Sequence, residues 1–380
     1  MRYLRFLACV SITLTVATTF IGCQAPFASS HVRQVLFDSV PARIEQRITQ
    51  EIEKQQMVGL SVGLHVRGWK SATLHYGWED REQEIPASDD TMYRWASISK
   101  PVTAILAMQL YNEGKLDLDR DVREYVSEFP AKPWPITPRQ LLCHQGGVVH
   151  YTNGEVIPTI REYDVENPYQ DTILALDKFK ESPLVGEPGT RFSYTTHGYM
   201  LLGAVIQRSG NEAFASQAHN RVAEPLGMSS FQPDYQWIDI PHRTIGYRKN
   251  REGEVERSGD WDVSWKLPGG GFISNVHDLT RFGVGLLENK LVDSSTRAMM
   301  WTPQKTQDGE TTLYGLGFLT LMIDHRRVAA HSGSQQKTAT LLMMDPEKNI
   351  VIALMCNTEG SRLAELATDL LRILVDEYRY

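Results

Sequence analysis

Isoleucines four residues apart within Ala42–Gln55 (Ile44, Ile48, Ile52) give that segment the period of a helix with one buried face. The period then shortens: residues 59–66 read as a strand ending at Arg67-Gly68, residues 72–76 as a second strand, and the two together as a hairpin. Residues 100–112 are apolar nearly all round and stop at Glu113-Gly114, where a glycine supplies the helix end. A helix with no polar face belongs at the centre of the fold.

Between residues 116 and 267 the chain is rich in Pro, Gly and short amphipathic segments, including a helix over 199–208 closed by Ser209-Gly210. This region is expected to be mainly helical. Apolar runs at 313–322, 328–330, 338–344 and 350–357 read as strands, and 362–378 as a final amphipathic helix. The sheet therefore draws on both chain ends. The predicted fold class is α+β: an antiparallel sheet flanked by helices, with a sheet subdomain of about 40–110 plus 272–380 and an inserted, mainly helical subdomain of about 111–271. The cleft between them is the default site.

Hydrophobic residues make up 42% of the 380 and charged residues 22%, an ordinary soluble composition. The net charge of -7, without any Lys/Arg run, argues against nucleic acid as a partner. No His-Glu-x-x-His or Cys-x-x-Cys occurs, so nothing asks for a metal, and no cofactor is implied.

Arg2 and Arg5 precede an apolar run from Phe6 to about Ile21, which reads as an export signal over residues 1–23. Ser11 and several threonines dilute the run, so a permanent membrane helix is the weaker reading. Residues 24–39 have the Ala, Ser and Pro content of a tether. Cys143 and Cys356, each among apolar neighbours, are expected to be buried thiols.

The chemistry begins at Ser97-Ile98-Ser99-Lys100. An offset of three on a helix brings the Lys100 amine beside the Ser97 hydroxyl. On an apolar helix that amine is desolvated, which lowers its pKa and lets it accept the serine proton. Helix-start N–H groups favour the anion formed when a serine attacks a carbonyl. Helix capping by Ser97 or Ser99 would explain the same residues, so other elements must decide. Two occur in order: Tyr194-Thr195-Thr196 before a helix, and His331-Ser332-Gly333-Ser334 after a short strand.

With these three motifs the chain resembles the serine β-lactamase and penicillin-binding family, in the branch of class C β-lactamases, D-alanyl-D-alanine carboxypeptidases and esterases. The segments Lys115–Asp119, Pro268-Gly-Gly-Gly-Phe-Ile-Ser274 and Tyr314-Gly-Leu-Gly-Phe318 add to it, and Ala96-Ser-Ile-Ser-Lys100 is similar to the mitochondrial serine β-lactamase-like group. The resemblance implies Ser97 as acylated nucleophile, Lys100 as its base and Tyr194 as proton shuttle. It implies an oxyanion hole from the Ser97 and Ser334 N–H groups, with Thr196, His331, Ser332 and Gly333 binding substrate. Phe20-Ile21-Gly22-Cys23 resembles a bacterial lipoprotein signal, which implies lipidation of Cys23 and a place in the cell envelope, facing the periplasm and on the outer rather than the inner membrane.

An ammonium beside Tyr194 would favour its phenolate, and Lys100 and Tyr194 should titrate as a pair. Two positions depart from the family pattern. Thr196 lacks the amide of a Tyr-x-Asn motif, and His331 replaces a permanent cation, so carboxylate recognition should weaken or become pH-dependent. The expected function is a serine hydrolase working through an acyl-enzyme on a small acyl ester, a D-amino-acid compound or another peptide. The alternatives are a poorly catalytic scaffold on the same fold, or a true β-lactamase. Gly59-x-Ser61-x-Gly63 matches a nucleophile elbow, but its apolar alternation runs on as a strand where an elbow needs a sharp turn. His144 is read as a helix-end contact, and residues 151–169 as a loop near the cleft that shapes substrate choice.

Overall fold

The computed structural model describes residues 41–68 and 71–378. The expected signal, the tether and Cys23 lie outside the described residues.

Seven strands form one antiparallel sheet in the order Ile85–Pro86, Ala72–Asp80, Gly59–His65, Ile350–Cys356, Thr338–Asp345, Arg326–Gln335, Leu319–Ile323. The centre of the sheet pairs the first strand with the last, Leu60 opposite Cys356 and Leu64 opposite Ile352, so both chain ends do build it. Its middle strands are buried almost throughout because both faces are covered. On one face Ile350, Ile352 and Leu354 join Val62 and Leu341 under the helices Ala42–Gln55 and Ala364–Glu377. On the other, Val351, Ala353 and Met355 pack beneath Leu279 and Phe282 of the helix Val276–Leu287. Each such side chain contributes roughly 1.5–3 kcal/mol by leaving water.

The helix Ser99–Asn112 is buried at every residue from Ser99 to Met108, as its lack of a polar face requires. It packs on the helix Thr196–Gly210 and on the short helix Leu267–Gly270. The turn that precedes it, Ala96–Ile98, lies on the strands Arg326–Gln335 and Thr338–Asp345. One core thus ties the central helix to the sheet.

Two strand expectations are corrected. The run 313–322 is strand only from Leu319, because Gly317 takes φ 90° and a Cβ there would lie 2.3 Å from that of Ala104. The strand expected at 328–330 runs from Arg326 to Gln335, so His331-Ser332-Gly333-Ser334 lies within it and not after it. Ser61 sits mid-strand with Met355 and His75 as its cross-strand neighbours, which removes the elbow reading.

Candidate active site

Ser97 is presented by a strained turn. Trp95 is fixed first: its N–H donates to the Phe272 carbonyl at 2.8 Å, and its own carbonyl accepts from the Thr340 hydroxyl at 2.9 Å. Ala96 then adopts φ 48°, a left-handed conformation costing a residue with a Cβ roughly 1–2 kcal/mol. The 3-10 turn Ala96–Ile98 follows and runs straight into the central helix. Gly333 lets the neighbouring strand come this close, since a Cβ on it would lie 2.3 Å from Thr340 Oγ1 and 2.5 Å from the Trp95 carbonyl.

Lys100 is fully buried, with Nζ 2.9 Å from Ser97 Oγ, 3.3 Å from Thr196 Oγ1 and 2.7 Å from the Gly269 carbonyl. The carbonyl can only accept, so it takes an N–H, and the two hydroxyls can each donate or accept. A neutral amine therefore fits, with its lone pair free for the Ser97 proton. Burial, reinforced by the Lys266 ammonium, drives the Lys100 pKa well below its ordinary value.

Tyr194 lies with its ring centroid 5.0 Å from Lys100 Nζ. Burial raises its phenol above the ordinary value, and a hydrogen bond with Ser97 opposes that rise in part. This corrects the expected phenolate beside an ammonium: the dry environment moves both groups toward their neutral forms. Thr196 starts the helix Thr196–Gly210, and the Thr195 hydroxyl caps it by accepting the Gly198 N–H at 3.1 Å. Two histidines hold this approach, His144 Nδ1 accepting the Thr195 N–H and His150 Nδ1 the Thr196 N–H, each at 3.2 Å. His144 follows the helix Pro138–Leu142, as read from the sequence, and its ring lies 4.3 Å from that of Tyr194.

Ser97, Tyr194, Thr196 and Ser334 all line one cavity of about 460 Å³. Strand pairing with Leu319–Ile323 ends at Ala330, so the outer edge of His331–Gln335 has no strand beside it. Ser332 and Ser334 are exposed there, while Gly333 is buried against Trp95 and Ala96. His331 departs from expectation. Its side chain does not line the cavity: Nε2 accepts from the Tyr314 hydroxyl at 2.8 Å and Nδ1 donates to the Ser332 carbonyl at 2.7 Å. Burial and the nearby Lys100 push its pKa down to about 3, so it stays neutral and is no pH-dependent carboxylate ligand near neutrality.

The remaining walls, apart from one residue of the predicted loop, were not read from the sequence. They are His150, Trp261, Asp262, Trp265, Lys266, Gln335 and Gln336. Of the predicted loop, Tyr151 lines the cavity, whereas Tyr163 packs on Tyr169 and bonds Asp177. Trp261 and Lys266 lie on irregular backbone and a 3-10 turn, where periodicity is silent; the adjacent Gly269-Gly270-Gly271 run was the available signal. Cys143 and Cys356 are free and buried as expected. Among the described residues no group of acidic, His or Cys side chains could hold a metal ion.

The family model for beta-lactamases matches residues 44–376. The chain belongs to the beta-lactamase family. Family membership makes it a serine hydrolase by class. The human mitochondrial serine beta-lactamase-like protein LACTB is 24% identical over 410 residues, covering 81% of this chain and 75% of its own. Two solved structures share the fold. The hydrolase EstCE1, described as having promiscuous acyltransferase activity, superposes with TM-score 0.73 at 21% identity over 86% of this chain and 97% of its own. The D-amino acid amidase of Ochrobactrum anthropi SV3 superposes with TM-score 0.72 at 20% identity over 88% and 99%.

Proposed function

We propose that this beta-lactamase family member cleaves an ester or amide through an acyl-enzyme on Ser97. The observation that carries the reading is the buried Lys100 amine 2.9 Å from the Ser97 hydroxyl at the wall of an open cavity. The amine takes the Ser97 proton as Oγ bonds to the substrate carbonyl carbon. The carbonyl oxygen, now negative, lies against the Ser97 and Ser334 N–H groups. Collapse breaks the bond to the leaving oxygen or nitrogen, which takes the Tyr194 phenol proton; the Lys100 ammonium returns a proton to Tyr194. Water then attacks the acyl-enzyme, giving one proton to restore Ser97 and releasing the acid.

A small acyl ester, a D-amino-acid amide or another peptide bond suits the site better than a β-lactam, because Thr196 offers no amide and no cation stands at position 331. EstCE1 and the D-amino acid amidase, whose fold this chain shares, support that ranking. The leader resembling a lipoprotein signal supports action in the cell envelope with Cys23 lipidated; radiolabelled palmitate incorporated into the wild-type chain but not into Cys23→Ala would establish it, and no incorporation would remove it. Turnover of a short-chain p-nitrophenyl ester by wild type, absent in Ser97→Ala, tests the activity. Equal turnover by both proteins would refute it, and fast penicillin turnover would contradict the substrate ranking.

A further inference from the structure

The cavity holds a cation to which the acyl-transfer steps assign no contact with substrate, although its charge helps hold Lys100 neutral. Lys266 ends the 3-10 turn Ser264–Lys266 and lines the cavity with Ser97, Tyr194 and Ser334, on the wall formed by Trp261 and Trp265. Among the described residues its ammonium makes no salt bridge and no hydrogen bond, and it lies over the face of the Trp265 ring, 6.0 Å from the centroid. The nearest carboxylate on its own segment, Asp262, is occupied instead with the Ser264 N–H and hydroxyl, each at 2.9 Å. Arg94 is the other cation nearby, and Asp234 already holds it at 2.5 Å. Gln335, which follows Ser334 on the strand Arg326–Gln335, lines the same cavity beside Gly270, and its amide nitrogen is buried without a partner. Both side chains line the same cavity and neither has a hydrogen-bond acceptor among the described residues, so one anion entering there can serve the two.

We infer that Lys266 and Gln335 form an anion subsite, so that the substrate carries a carboxylate a few atoms from the bond cleaved at Ser97. The inference rests on the Ser97 hydrolase reading. It relocates charge recognition: with neutral His331 turned into the protein, the cation comes from the Ser264–Lys266 turn. The carboxylate takes its hydrogen bonds from the Lys266 ammonium and the Gln335 amide, in the cavity that Trp261 and Trp265 also line.

The test uses the full-length protein and three esters: neutral phenyl butyrate, 3-carboxyphenyl butyrate with the charge on the leaving group, and monophenyl adipate with the charge on the acyl group. A charge-assisted contact of this kind changes kcat/KM on the order of tenfold to a hundredfold. At least one charged ester should therefore exceed phenyl butyrate by that factor, and which one does so locates the subsite relative to Ser97. Lys266→Gln should remove the charged-over-neutral ratio, Lys266→Arg should restore most of it, and Gln335→Leu should lower it by a smaller factor. Circular dichroism confirms that each variant is folded. The inference is overturned if wild type shows no preference for either charged ester, or if Lys266→Gln keeps the preference. Failure of the underlying reading looks different, since Ser97→Ala would then still hydrolyse phenyl butyrate.

Discussion

Two serines in this molecule sit in hydrogen-bond chains of the kind hydrolases use, and only one meets open space. Ser61 Oγ lies 2.9 Å from His75 Nδ1, and His75 Nε2 lies 2.8 Å from Asp89 Oδ1, which reads on paper as a Ser-His-Asp string. Yet Ser61 is fully buried in a central strand, lies 3.0 Å from the Tyr93 hydroxyl, and lines no part of the Ser97 cavity. Ser97 has a less familiar partner, a lysine, but the strained Ala96 turn places it at the wall of a cavity of about 460 Å³. A proton acceptor beside a hydroxyl is therefore not sufficient. What separates the two is room for the substrate's carbonyl carbon.

The largest expected effect follows directly. Ser97→Ala should lower kcat/KM for a p-nitrophenyl ester by on the order of a thousandfold or more without altering the fold, because the hydroxyl acts in the transition state and not in packing. Next, Lys100→Met should cost nearly as much. Lys100→Arg should not rescue it, since a guanidinium stays protonated and cannot accept the serine proton. Steady-state kinetics measure both, and substantial activity in Lys100→Arg would show that a cation, not a base, is what Ser97 needs.

Ser61→Ala inverts the pattern. Hydrolysis should stay within a few-fold of wild type, while stability falls by about 1–3 kcal/mol as His75 and Tyr93 lose a buried partner. Urea unfolding reads the second effect; a large loss of activity at unchanged stability would give Ser61 a role denied to it here.

The smallest effect spans both regions. Burial lowers the pKa of His75 in the sheet, and near the cavity it brings His197 to about 4 and His331 to about 3. Between about pH 6.5 and 4 the unfolded chain therefore binds protons that the folded chain refuses, so their contribution is full above pH 6.5 and is lost as pH falls through that window. Tm at pH 4.5 should lie below that at pH 7 by on the order of 5 °C, and His331→Gln should flatten the slope. A Tm that holds steady or rises on acidification would contradict neutral burial of these rings.

Local chemistry was the legible part of the site. Ser97 and Lys100 are three residues apart where a 3-10 turn runs into the central helix, so their contact needs no knowledge of the rest of the chain, and helix periodicity already placed that lysine in a dry core. Tyr194 was reachable through its motif. The other cavity walls were not, because Trp261, Trp265 and Lys266 come from backbone without a period, and their facing residues lie on a strand some seventy positions away. His331 shows a different limit. Its position in the motif was plain, but which way the imidazole turns depends on Tyr314 and on the Ser332 carbonyl. In the fold, alternation located the sheet and its two covering helices, while Gly317 ended one expected strand through a close approach to Ala104 that no local pattern encodes.

Labelling with a fluorophosphonate probe, followed by peptide mapping, separates the two serines in a single experiment. One phosphonyl adduct on the peptide containing Ser97, absent after Lys100→Met and never found on Ser61, is the predicted result. An adduct on Ser61, or none on Ser97 in the folded protein, would contradict the assignment of Ser97 as the nucleophile.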